Sequence, residues 1–147
     1  MASTKTSRAR KTKTVARQAA PAPRARRLPK GVATAIRAAL DKKALDVVVL
    51  DLRKAGGFTD YFVICTGTSG RQIQAIADGV KTELKTDLGE RPVLAEGVEK
   101  SQWILLDYFD FVVHVFSREC RDFYALERLW GNAERRQISD VPSEAPS

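Results

Sequence analysis

Few groups in this chain could do chemistry. The single histidine, His114, lies inside the run FVVHVF, where its ordinary place is a partly buried position in a sheet. A nucleophilic triad would have to use it, and neither a G-x-S-x-G elbow nor a P-loop occurs. Gly67-Thr68-Ser69-Gly70 follows a strand-like run and opens a helical one. Its free N–H groups could hold an anion, but inert caps look the same, and the glycine spacing is wrong for a dinucleotide site. Asp46, Asp51, Asp60, Asp107 and Asp110 fall at the ends of strand-like runs or in turns. Two-metal phosphoryl chemistry needs carboxylates that converge, such as a D-x-D pair on the strand after a Gly-Ser helix start. The segment PVLAEGVEK has no such pair, and Asp107-Tyr108-Phe109-Asp110 has the wrong spacing and spans a turn. The aspartates are expected to cap turns. Cys65 and Cys120 are far apart and form no C-x-x-C, which argues against a disulfide scaffold or zinc and for a reducing compartment. No catalytic residue, metal site or cofactor is expected.

The elements that position these groups can be read from periodicity. Pro29 opens order, and Val32, Ile36 and Leu40 put one apolar stripe on a helix over about 30–43. DVVVLDL (46–52) reads as a buried strand, 54–57 as a turn, and DYFVICT (60–66) as a second strand. Ser69 and Gln72 match the capping box at the start of a helix running to about 87. Gly89 stops that helix. Residues 92–96 suit a short edge strand that tolerates Pro92. Residues 103–108 and 111–116 read as a hairpin. A last helix is expected over about 118–130, with Cys120, Phe123, Tyr124, Leu126, Leu129 and Trp130 inward. The fold class is α/β, a mixed sheet of about five strands with three helices.

If Phe109-Asp110 form a two-residue loop, Asp107 opposes Val112, Leu105 opposes His114 and Trp103 opposes Phe116. One face of the hairpin is then nearly pure core: Ile104, Leu106, Tyr108, Phe111, Val113 and Val115. The other mixes aromatic, aliphatic and ionisable side chains. Burying an aspartate is costly, so part of that face should be open, as in a protein interface with an aromatic anchor and a charged rim. The competing arrangement has the terminal helix covering Trp103 and Phe116 as a second core layer.

The charge is unevenly placed. Residues 1–30 carry ten Lys/Arg and no acid, whereas residues 31–147 carry fifteen Lys/Arg and eighteen Asp/Glu, so the net +7 belongs to the tail. The domain itself is −3, which favours a basic protein over bare RNA as its partner. Residues 1–29 hold too little apolar surface to fold and are expected to be disordered, as are 139–147. The basic tail is a solvated arm, a tether to ribosomal or other RNA, or a transit peptide for a mitochondrion or chloroplast. No apolar run approaches a membrane span, and no secretory signal is visible.

Residues 41–78, DKKALDVVVLDLRKAGGFTDYFVICTGTSGRQIQAIAD, resemble the first half of the ribosomal silencing factor (Iojap-related) family, with Asp60-Tyr61-Phe62-Val63-Ile64, Ser69 and Gln74-Ala75-Ile76 matching its central motif. Residues 96–131 resemble the second half, through Trp103, Leu105-Leu106-Asp107, Asp110, Val113-His114-Val115-Phe116, Arg121, Tyr124, Leu126-Glu127 and Leu129-Trp130. The resemblance covers roughly residues 31–131, within a domain expected over 30–138. It implies a nucleotidyltransferase-like fold without known catalysis. It also implies binding to the large ribosomal subunit through large-subunit ribosomal protein fourteen, obstruction of subunit joining, and translational repression in the bacterial cytoplasm. Organelle relatives imply a role in ribosome biogenesis, and a homodimer stays open. The partner-facing residues it implies are Trp103, Asp107, Asp110 and His114, to which we add Leu105 and Tyr108. Where the family commonly has a small residue in the D-Y-x-D turn, often glycine, this chain has Phe109.

Overall fold

The computed structural model describes residues 27–97 and 102–138. The expected disorder of 1–29 and 139–147 falls almost wholly outside them. Among the described residues the elements run α1 (Lys30–Asp41), β1 (Leu45–Asp51), β2 (Tyr61–Gly67), α2 (Gly70–Leu88), β3 (Leu94–Gly97), β4 (Trp103–Asp107), β5 (Phe111–Ser117), α3 (Arg118–Tyr124), α4 (Leu126–Leu129) and β6 (Glu134–Gln137). The sheet order is β3-β4-β5-β2-β1-β6. β2 and β5 are parallel and every other neighbouring pair is antiparallel, so the sheet is mixed.

Local chemistry explains the helix ends. Ser69 Oγ accepts from Gln72 N–H at 3.1 Å, as the capping pattern requires. The return bond goes one residue further back than expected, with Gln72 Oε1 accepting from Thr68 N–H at 2.6 Å. The Gln72 amide also donates to the carbonyls of Lys42 and Lys43, tying the α1–β1 turn to α2. Gly89 ends α2 in the left-handed region at φ 67°, its N–H returning to the last turn. Gly67 is required by contact, since a Cβ there would lie 2.7 Å from Ile73 Cγ1.

Two expectations are corrected. The final helix is not continuous, because Ala125 adopts φ 46° and breaks it into α3 and α4. Cys120, Leu126 and Trp130 still pack inward, but Phe123, Tyr124 and Leu129 are 80%, 47% and 71% exposed. The sheet also gains a sixth strand, β6, whose sequence ERRQ is too short and polar to show a strand pattern.

The two faces of the sheet are covered differently. Val49, Val63, Val113 and Leu106 line up across four strands on one face, and α1 and α2 pack over it with Val32, Ile36, Ile73, Ile76, Val80 and Leu84. The other face carries Val48, Leu50, Phe62, Ile64, Val112 and Phe116. Cys120, Leu126, Trp130 and Ala133 cover it from the α3–α4 segment and the turn that follows.

A guanidinium anchors that cover. Arg121 is buried and donates to Glu127 Oε2 at 2.6 and 3.1 Å, to Asp46 carbonyl at 2.7 Å and to Thr66 Oγ1 at 2.8 Å. An irregularity in the β1–β2 register between Leu45 and Val48, with Asp46 at φ 49°, accompanies the Asp46 carbonyl that receives it. A buried charge is tolerable when it is paired and hydrogen-bonded, and Arg121 has a carboxylate partner and four bonds.

Candidate partner-binding face

The hairpin register derived above is the one observed: Trp103 opposes Phe116, Leu105 opposes His114, and Asp107 opposes Val112. Extending the register across the sheet gives two rows on the second face. One runs Val48, Ile64, His114, Leu105, Glu96 and the other Leu50, Phe62, Val112, Asp107, Leu94. In both, side chains are buried on β1, β2 and β5, half-buried on β4, and exposed on β3. The α3–α4 cover therefore stops short of the β3 edge. A depression of about 530 Å³ remains there, lined by Ala95, Glu96, Gly97, Trp103 and Leu105.

Trp103 is held rigidly in this half-open strip. Its Nε1–H donates to His114 Nδ1 at 3.2 Å. Its ring lies 4.8 Å from Phe116 and 4.6 Å from Tyr124 between centroids. Because Nδ1 accepts, the neutral imidazole carries its proton on Nε2, which is buried without a hydrogen-bond partner among the described residues. Burial pushes the His114 pKa down from its ordinary 6.5 to about 4. The ring of Phe62 closes against His114 at 4.6 Å. Both proposed arrangements of this face are thus realised in part: Phe116 is core, and Trp103 is half covered.

The six residues chosen from sequence take different places. Trp103, Leu105 and Asp107 share the half-open strip. Asp110 is exposed in the turn beside it. His114 is buried beneath Trp103 and acts on the surface only by holding that ring. Tyr108 is buried too, stacked on Phe111 at 5.0 Å, with burial pushing its hydroxyl up to about 12. Its ring lies away from the strip, so any part it plays there is through the turn that it anchors.

Asp107 and Asp51 accept from groups two residues on, as turn caps do, whereas Asp46 pairs across the fold. Asp107 Oδ1 accepts from Phe109 N–H at 2.8 Å, and Asp51 accepts from Arg53 N–H and its guanidinium. Asp46 is paired with Arg118, which holds its carboxyl below the ordinary value. Among the described residues, no three His, Cys, Asp or Glu side chains gather as metal ligands would. The Ser69 hydroxyl is engaged as the α2 cap. Cys65 is fully buried, and burial raises its thiol to about 12. Sequence reasoning placed Tyr124 inward, whereas it packs on Trp103 from the surface, and it quoted Arg121 only within the family resemblance, without its role as a buried anchor.

Comparison with known proteins gives this arrangement a family. A family model described as ribosomal silencing factor during starvation matches residues 25–147. A ribosomal silencing factor of Halalkalibacterium halodurans is 40% identical over 109 residues, covering 74% of this chain and 92% of the relative. One from Bacillus subtilis is 42% identical over 93 residues, covering 63% and 78%. A crystal structure of a Chromobacterium violaceum protein superposes with a TM-score of 0.66 at 35% identity, covering 76% of this chain and 92% of that one. The chain belongs to the ribosomal silencing factor family.

Proposed function

We propose that the protein is a translational repressor of the bacterial cytoplasm. It binds the large ribosomal subunit through large-subunit ribosomal protein fourteen and blocks joining of the small subunit by occupying the contact surface. The observation that carries this reading is the half-open strip of Trp103 and Leu105 at the edge of an otherwise covered sheet face, rimmed by Glu96, Asp107 and Asp110. A rigid aromatic anchor within a carboxylate rim suits a basic protein surface and disfavours phosphate. Family membership supplies the ribosome as the place where such a surface is met. The basic tail adds sequence-independent attraction to nearby RNA.

Co-sedimentation with purified large and small subunits tests the reading. The protein should pellet with large subunits and stay in the supernatant with small ones. Equal recovery with both, or with neither, would contradict it.

A further inference from the structure

Four non-glycine residues among those described have positive φ: Lys43, Asp46, Ala125 and Phe109. Phe109 is the bulkiest, and positive φ is least tolerated by bulky side chains. Its φ is 76°, and Tyr108 carbonyl accepts from Asp110 N–H at 2.9 Å across it, the bond of a γ-turn of the strained hand. The turn is held there from several sides. Phe109 N–H donates to Asp107 Oδ1 at 2.8 Å, and Phe109 carbonyl accepts from Thr59 Oγ1 at 2.7 Å. Asp60 N–H donates to Asp110 carbonyl at 3.0 Å. Yet the ring is 75% exposed. A fixed, strained backbone that presents an apolar ring to solvent does nothing for the fold that a glycine would not do better.

The geometry points to Phe109 as a second anchor of the partner interface, seated in an apolar pocket bordered by basic side chains on a large-subunit protein. The inference rests on the reading under Proposed function and deepens it. Two features select the occupant. The turn is continuous with the strip, since Asp107 belongs to both. Three carboxylates, Asp60, Asp107 and Asp110, lie in or beside the two laced turns, and Arg53 on the segment before Asp60 is already paired with Asp51. Such a rim attracts lysine and arginine and repels a nucleic-acid backbone.

The test compares the parent chain with Phe109→Gly and Phe109→Ala, titrated against purified large subunits. Glycine relaxes the turn and removes the ring, whereas alanine keeps a Cβ at positive φ and removes only the ring. Both variants should bind about tenfold more weakly. Phe109→Gly should melt no lower than the parent. Affinity for protein-free large-subunit RNA should be the same for all three. Variants that bind subunits as tightly as a binding parent would overturn this inference alone, as would a loss confined to the glycine variant. A Phe109→Gly chain that melts well below the parent would give the ring a structural role instead. Equal losses on RNA would overturn the protein pocket. A parent that binds no large subunits would overturn the inference and the proposed function together.

Discussion

Ile104 and Leu106 alternate with Trp103 and Leu105 along one strand, yet the two pairs meet different surroundings. The first pair lies on the face that α1 and α2 close, where every aligned neighbour is apolar. The second lies on the face whose cover ends before the sheet does. Closing a face takes only apolar alternation and helices to lie on it. Keeping a face available takes more, because exposed apolar groups must be held rigid and mixed with charge. The bond from Trp103 to His114 and the ring contacts around them provide that rigidity.

Truncation of adjacent leucines separates the two faces most strongly. Leu106→Ala, on the closed face, should lower unfolding free energy by about 2–5 kcal/mol, whereas Leu105→Ala should cost about 1 kcal/mol and show instead as weaker subunit binding. Urea denaturation of both variants measures the difference. Equal losses of stability would mean that the two faces are equally closed.

His114 makes the half-open face sensitive to pH. Its folded-state pKa of about 4 lies below its ordinary 6.5. Above 6.5 both states are neutral there and stability is unaffected. Between 6.5 and 4 the unfolded chain takes up the proton that the folded chain refuses. Stability should therefore fall by about 2–3 kcal/mol between about pH 7 and about pH 4.5. Asp46 and Asp51, whose carboxyls are held below 3.8, add to the loss mainly at lower pH. Thermal melts of the parent and of His114→Gln, which keeps an acceptor for Trp103, should differ in this slope, with the variant flatter. An unchanged slope would mean that His114 is not the group responsible.

Much of this was legible because local rules decide it. A two-residue loop fixes hairpin register, so the facing of Trp103, Leu105 and Asp107 followed from the sequence alone. The Ser69 cap and the Gly89 stop were readable for the same reason. The break at Ala125 was not, because alanine carries no signal for a left-handed residue, and tertiary packing of Leu126 and Trp130 overrides the helical periodicity. Strand β6 was hidden because its pairing with β1 is made by backbone, not by an alternating pattern. Tyr108 belonged to the closed face by alternation, and its place against Phe111 follows that rule.

Smaller effects follow on the open face. Trp103→Phe removes the bond to His114 and part of the exposed ring, and should weaken binding to large subunits by about 2 kcal/mol with near-native circular dichroism. A variant that unfolds would make Trp103 core. Asp107→Asn with Asp110→Asn keeps an oxygen to accept from Phe109 N–H while removing two charges. Stopped-flow association should be slower and less dependent on salt, with dissociation little changed. A change confined to dissociation would place these carboxylates in desolvated contacts instead of at a rim.

Occlusion of the joining surface has a direct consequence for subunit association. Light scattering follows purified large and small subunits as they join, with large subunits first incubated with saturating protein. The account predicts a marked loss of joined ribosomes in proportion to occupied large subunits, and restoration by variants that no longer bind. Undiminished joining by large subunits shown to carry the protein would contradict it.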